Sequence, residues 1–214
     1  DIDALLKTVD ISTAMSIEAL LGTDQVFAEE LHVLRPQVGQ GLSAKNLRHL
    51  LGESPLVKSH AGHDDTRVQD AYSLRCAPQV SGAVRDSIAY AKSVAENELA
   101  SAIDNPVVLE SGEVTSNGNF HGAPVGYVLD FLAITATDLG SISERRTDNM
   151  LDKARSFGLP PFLAGDAGVD SGMMIGQYTA AGLVSENKRL AVPASVDSIP
   201  NSAMQEDHVS MGWH

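Results

Sequence analysis

Cysteine is almost absent: Cys76 stands alone in 214 residues, so no internal disulfide can form, and no Cys or His accompanies it at zinc-ligand spacing. A reducing, cytoplasmic setting is the expectation. Basic residues are scarce too, 15 Lys and Arg against 28 Asp and Glu, for a net charge of -13 and a pI near 4.8. A nucleic-acid backbone or an anionic membrane surface would repel such a chain at long range, which leaves small molecules and other protein chains as partners. No uninterrupted apolar run approaches the roughly 20 residues that span a bilayer, and no basic segment precedes an apolar stretch at the start. An initiator methionine is also missing. Asp1 leads directly into an amphipathic pattern with no capping approach, so the reading is a piece of a longer polypeptide.

What is present is helical periodicity. Hydrophobic residues make up 43% and charged residues 20% of the chain, enough for one sizeable core, and a single helical domain over residues 1–214 is expected. Leu5, Leu6, Val9, Met15, Ile17, Leu20 and Leu21 recur at i+3 and i+4 until Gly22. Val80, Val84, Ile88, Ala91, Ala95 and Leu99 form a second stripe that stops at Asp104-Asn105-Pro106. A third, longest pattern runs from Val125 to about Lys153 through Leu129, Leu132, Ala136, Leu139, Ile142 and Met150, with Arg145, Arg146, Asp148 and Asp152 near its end. At this length, on the order of 40 Å, it outruns the core of a small domain and predicts packing of part of its apolar side against other long helices, of this chain or of other subunits. Met173 to Leu190 gives a fourth helix. The fold class expected is all-α, a long-helix bundle. Residues 35–69, 106–124, 156–171 and 191–205 read as long loops, with a short strand pair around Val107 to Thr115. Loops of this length inside a compact domain point to function.

The loops offer chemistry. In Arg67-Val68-Gln69-Asp70-Ala71-Tyr72-Ser73-Leu74-Arg75-Cys76, a phenol and a guanidinium lie three residues apart, on one face if helical. Arg75 suits a carboxylate held by a two-pronged hydrogen bond; the alternative is structural pairing with Asp65, Asp70 or Asp86. Asn117-Gly118-Asn119-Phe120-His121-Gly122 is a turn that projects an aromatic ring as a pocket wall, or merely anchors a loop. Gln205-Glu206-Asp207-His208 could supply an acid-base pair, or a helix cap from Ser202 or Asp207. His60-Ala61-Gly62-His63-Asp64-Asp65 has donors adequate for a divalent ion, but its Gly and tight spacing fit a solvated loop, and no metal site is assigned. Cys76 lacks a neighbouring base and reads as a small core residue.

These strings, together with Pro78-Gln79-Val80, Gly158-Leu159-Pro160-Pro161-Phe162-Leu163, Gln177-Tyr178-Thr179-Ala180-Ala181, Glu186-Asn187-Lys188, Pro193-Ala194-Ser195-Val196-Asp197-Ser198-Ile199-Pro200 and the run to Gly212, resemble the aromatic amino-acid lyases across essentially the whole chain, most closely their histidine ammonia-lyase branch. The resemblance implies a homotetramer with active sites shared between subunits. It also implies a methylidene-imidazolone prosthetic group cyclised from Ala-Ser-Gly, and elimination of ammonia from an amino acid, giving urocanate when the substrate is histidine. By the same resemblance, Arg75 holds the substrate carboxylate, Tyr72 orients the reacting amino acid, Phe120 lines the pocket, Glu206 contacts the amino or imidazole group, and Gln69 belongs to the polar surroundings. An acidic Glu206 beside His208 favours histidine over phenylalanine, whose enzymes are amide-rich there.

One departure stands out. Ala-Ser-Gly occurs nowhere in the 214 residues; Ser81-Gly82-Ala83 and Ser171-Gly172-Met173 have the wrong order. The prosthetic group is therefore not formable from this chain, and the family's tyrosine base and upstream ring-contact loop are missing as well. The chain alone is expected to be inactive. Two further readings stay open: a stable, non-catalytic helical oligomer, and a relative acting on tyrosine or phenylalanine, as lyase or aminomutase.

Overall fold

The computed structural model describes residues 2–62 and 67–212. Among these the α-helices are α1 (Ile2–Ala19), α2 (Glu29–Val33), α3 (Val38–Leu51), α4 (Pro55–His60), α5 (Tyr72–Arg75), α6 (Ala77–Leu99), α7 (Ala123–Leu151) and α8 (Met174–Leu190). One antiparallel ribbon, β1 (Val107–Val108) with β2 (Val114–Thr115), pairs Val107 with Thr115 and Val108 with Val114. The architecture is the all-α, long-helix one that periodicity predicts, and the four long helices lie within a few residues of their expected bounds. The stretch 35–69 is a correction: read as loop, it holds α3 and α4. The buried residues of α3 are Gly39, Gln40, Ser43, Ala44, Leu47 and Leu51; with four of these six small or polar, no apolar stripe advertised it.

The chain divides into two compact units, Asp1–Asp86 with Ala136–Lys188, and Ser87–Thr135 with Arg189–His214. In the first, Ile17, Leu20, Phe27, Leu47, Leu51, Val57, Leu74 and Ala77 form the core, each large side chain worth about 1.5–3 kcal/mol of burial. Helices α3 and α6 cross here with their backbones touching. A Cβ built on Gly39 would lie 2.1 Å from the Gly82 carbonyl oxygen, and one on Gly82 2.3 Å from the Gln40 nitrogen. Asp86 of α6 accepts the Gly39 N–H at 2.8 Å, satisfying a free donor of the α3 N-terminus that Gln37 does not cap. Beside the crossing, Arg85 Nη2 meets Asp10 at 2.6 Å and Arg85 Nε donates to Ser43 Oγ at 2.9 Å, while Asn46 donates to the same Asp10 carboxylate at 2.6 Å. This ion pair is well buried and its charges are shared among hydrogen bonds, the condition under which burial is tolerated. At α4, Ser54 accepts from the Val57 N–H and Pro55 occupies the first turn.

In the second unit the tail 189–212 lies along the first half of α7. Asp130 accepts from the Ala194 and Ser195 N–H groups at 3.1 and 2.9 Å and from the Ser195 hydroxyl. A Cβ on Gly126 would stand 3.2 Å from the Ser210 carbonyl oxygen. Much of the expected packing stripe of α7 is uncovered: Leu129 and Ala136 are exposed, as are Tyr127, Phe131 and Ile134, whereas Val128 and Leu139 are buried. Among the described residues α7 has the length and composition to cross a membrane. Asp130 and Asp138 nevertheless interrupt its apolar run.

Candidate active site

Helix α5 is a single turn, too short to be stable by itself. It is closed by the Leu74 and Arg75 N–H groups on the Ala71 carbonyl at 3.0 and 3.1 Å and by Cys76 on Tyr72 at 2.9 Å. Ser73 and Leu74 turn inward and are buried, while Tyr72 is 70% exposed. Cys76, read as a core residue, is only half-buried. The Arg75 guanidinium lies 4.4 Å over the Tyr72 ring centroid, a cation–π contact, and its Nε donates to the Asp70 carbonyl at 2.9 Å. Among the described residues neither terminal nitrogen of Arg75 meets an acceptor. Of the carboxylates considered for structural pairing with Arg75, neither Asp70 nor Asp86 takes its guanidinium. The Asp70 carboxylate accepts instead from Arg67 at 3.2 Å and from the Thr23 N–H at 2.8 Å, Asp86 serves Gly39, and Asp65 lies outside the described residues.

Arg67 is the brace behind this arm. It donates to the Leu20 and Leu21 carbonyls at 3.2 and 2.5 Å and stacks 3.9 Å over the Phe157 ring. Gln69 is exposed and lines, with His60, Arg67 and Asp70, a cavity of about 210 Å³. The first unit thus brings Tyr72 and Arg75 together, with Gln69 on the neighbouring cavity, which neither of them lines. His60 is engaged with backbone, its two ring nitrogens 2.9 Å from the Leu56 and 3.2 Å from the Gly22 carbonyl oxygens. The rest of the loop weighed as a metal site, His63, Asp64 and Asp65, lies outside the described residues.

Beneath α5 sits a group the sequence reading did not single out. Arg146 of α7 is 2% exposed, and its Nη1 donates to the Ser73 carbonyl at 3.2 Å. Asn149, one turn on, donates to the Ser73 hydroxyl at 3.2 Å and accepts from Arg155 at 2.8 Å. Arg155 is held in turn by Asp148 and Asp152, each at 2.7 Å, whose carboxylates lift its already high pKa further. Burial lowers the Arg146 pKa from its ordinary value to about 10, which leaves it a cation at neutral pH. A signal was available: Ile142, Arg146 and Met150 are spaced by four, so Arg146 stands inside the apolar stripe.

In the second unit, the loop bearing Phe120 is braced by Asp104-Asn105-Pro106, which periodicity read only as a helix stop. Asn105 Oδ1 accepts from Ser116 Oγ at 3.1 Å and the Asn117 N–H at 2.9 Å, and Asn117 Nδ2 donates to the Asp104 carbonyl at 3.0 Å. Phe120 is left 56% exposed. Glu206 closes a tight loop: it exchanges backbone hydrogen bonds with Asn201 at 2.9 and 3.3 Å, and its Oε2 accepts from Ser202 at 2.8 Å. Neither Ser202 nor Asp207 acts as a helix cap; the residue preceding the short turn Ser202–Met204 is Asn201, with no side-chain bond. The loops of Phe120 and Glu206 meet through their neighbours. His121 and His208 stack at 5.5 Å, with His121 Nε2 3.2 Å from the His208 carbonyl oxygen.

A sequence profile of the aromatic amino acid lyase family matches residues 1–214. The chain belongs to the aromatic amino acid lyases. Among its lyase relatives, the histidine ammonia-lyase of Streptomyces avermitilis is 71% identical over 100% of this chain and 41% of its own length. The crystal structure of histidine ammonia-lyase from Trypanosoma cruzi superposes with a TM-score of 0.84 at 45% identity, over 97% of this chain and 38% of that one. The phenylalanine aminomutase of Pantoea agglomerans gives 0.89 at 35% identity, over 99% and 44%. The chain therefore spans about 41% of the length of the curated lyases it matches. Within these residues the tripeptide Ala-Ser-Gly does not occur.

Proposed function

We propose that this chain contributes the carboxylate-binding arm and part of the pocket wall to an ammonia-lyase that converts L-histidine to urocanate and ammonia. The observation that carries the reading is the Arg75 arm: a guanidinium laid on Tyr72 and tied by Nε to Asp70, with two terminal nitrogens directed at no acceptor among the described residues. A planar fork held in that way matches a substrate carboxylate. In the family the methylidene-imidazolone supplies an electrophile; here it would have to come from residues other than these 214. What this chain does is bind and orient: Arg75 takes the carboxylate, Tyr72 the face of the reacting carbons, Gln69 the polar surroundings, Phe120 the pocket wall, and Glu206 the substrate's amino or imidazole group. In the net reaction the β-carbon loses a proton and the α-carbon–nitrogen bond breaks, so the nitrogen leaves as ammonia and a conjugated acid remains.

Histidine is preferred because relatives at 71% and 68% identity are named for it and because Glu206 supplies a carboxylate where an imidazole can donate. The aminomutase likeness keeps tyrosine and phenylalanine as the second reading. We assign the assembly as a homotetramer with active sites shared between subunits, in the cytoplasm, where an unpaired, half-buried Cys76 is at home. The test gives the full polypeptide histidine, phenylalanine and tyrosine in turn and follows the absorbance of the conjugated product. Expected is a rise with histidine, and a fall in kcat/KM of about two orders of magnitude for Arg75→Met, the loss of two charge-assisted hydrogen bonds. A product only from tyrosine or phenylalanine, or an unchanged kcat/KM in the variant, overturns the assignment.

A further inference from the structure

Helix α5 carries Tyr72 and Arg75 outward on one turn that has no side-chain N-cap. Such a turn does not hold its own geometry, yet a two-pronged carboxylate bond tolerates little misplacement. Something else must fix it. The Asp70 side of the turn is fixed by Arg67 and Thr23. Its underside is held by the packing of Leu74 in the core and by Ser73, whose carbonyl and hydroxyl take Arg146 and Asn149.

The arrangement is unusual in its cost. Arg146 is among the largest fully buried side chains, and its Nη2 has no hydrogen-bond partner among the described residues. Burying a guanidinium without a carboxylate is destabilising, and a hydrophobic side chain of similar size would avoid that cost. What a hydrophobic side chain could not do is reach the Ser73 carbonyl. Asn149 adds a second, directional bond to the same residue and is itself oriented by Arg155. Arg155 in turn is clamped between Asp148 and Asp152. The line Arg155, Asn149, Ser73 runs from the segment just after α7, through α7, to the interior face of α5, and Arg146 reinforces it one turn earlier. We propose that Arg146 and Asn149 are positioning residues, which set the reach and angle of the Arg75 fork by gripping Ser73. The proposal rests on the reading of Arg75 as the carboxylate ligand.

The test compares two ligands of the full polypeptide, histidine and its decarboxylated analogue histamine, by turnover of the first and competitive inhibition by the second. Asn149→Ala and Ser73→Ala are expected to raise the histidine KM about five- to tenfold, the value of one net hydrogen bond, while histamine inhibition and the melting temperature stay close to wild type. In the Arg75→Met background the same changes should add nothing, because the arm they aim is gone. Arg146→Met should follow Asn149→Ala, and Arg146→Lys should recover part of the loss; if the Arg146 variants do not fold, the Asn149 and Ser73 variants still decide. Equal weakening of histidine and histamine, or full additivity with Arg75→Met, overturns the positioning role. Should Arg75→Met itself leave the preference for histidine over histamine untouched, the carboxylate assignment falls instead.

Discussion

Asp130 shows how one side chain can organise a loop. Burial would raise its pKa, but the hydrogen bonds from the Ser195 hydroxyl and from the Ser195 and Ala194 N–H groups outweigh it and hold the carboxyl below its ordinary value. The folded chain thus binds this proton less readily than the unfolded one. The clamp stabilises the fold throughout the range above ordinary carboxylate pKa values, and the contribution fades as the pH falls below them. Ser195→Ala removes one donor and should move the Asp130 midpoint upward, read from its carboxyl carbon by NMR titration; an unmoved midpoint would show that the hydroxyl is not the cause. Nothing in the spacing of Asp130 distinguishes it from a solvated helix acid, because its partners lie more than sixty residues away. Tyr72 and Arg75 were legible for the opposite reason: three residues apart, they need only one helical turn to meet.

Helices show the same division between local and distant causes. The stripes of α1, α6, α7 and α8 could be read directly because their periodicity survives in sequence. The α3 helix could not, since its buried face is set by contact with α6 at Gly39 and Gly82 and by a polar network around Asp10 and Arg85. Gly39→Ala should be far more damaging than a helix propensity gain of about 1 kcal/mol suggests, because the added carbon would meet Gly82 backbone at 2.1 Å. A chemical denaturation midpoint that fails to drop would refute the crossing. By contrast Gly41, on the same helix, has open space where its Cβ would be, and Gly41→Ala should be neutral or stabilising. For the apolar core, Ile17→Ala removes a fully buried side chain and is expected to cost about 2–5 kcal/mol of unfolding free energy.

At the scale of the whole molecule the apolar face of α7 dominates. Only 17% of its most apolar stretch is buried, and Tyr127, Phe131 and Ile134 follow one another at helical spacing. Exposed patches of this kind mark contact with other chains, which supports the proposed self-association. Light scattering should find a multimer, and Phe131→Asp should shift it to smaller species without loss of helical circular dichroism. Because each chain carries a net charge of -13, the multimer should tighten as salt is raised to about 0.15 M, where the Debye length is roughly 8 Å; dissociation by salt would point to ionic rather than apolar contacts. The α3–α6 crossing also bears on lineage. Most packing defects can be repaired by shrinking a neighbour, but Gly39 and Gly82 are each already the smallest residue available. A mutation at either position therefore has no compensating change at the other, so drift is barred at both, and the pair can serve as a fixed landmark for judging whether a distant sequence still folds this way.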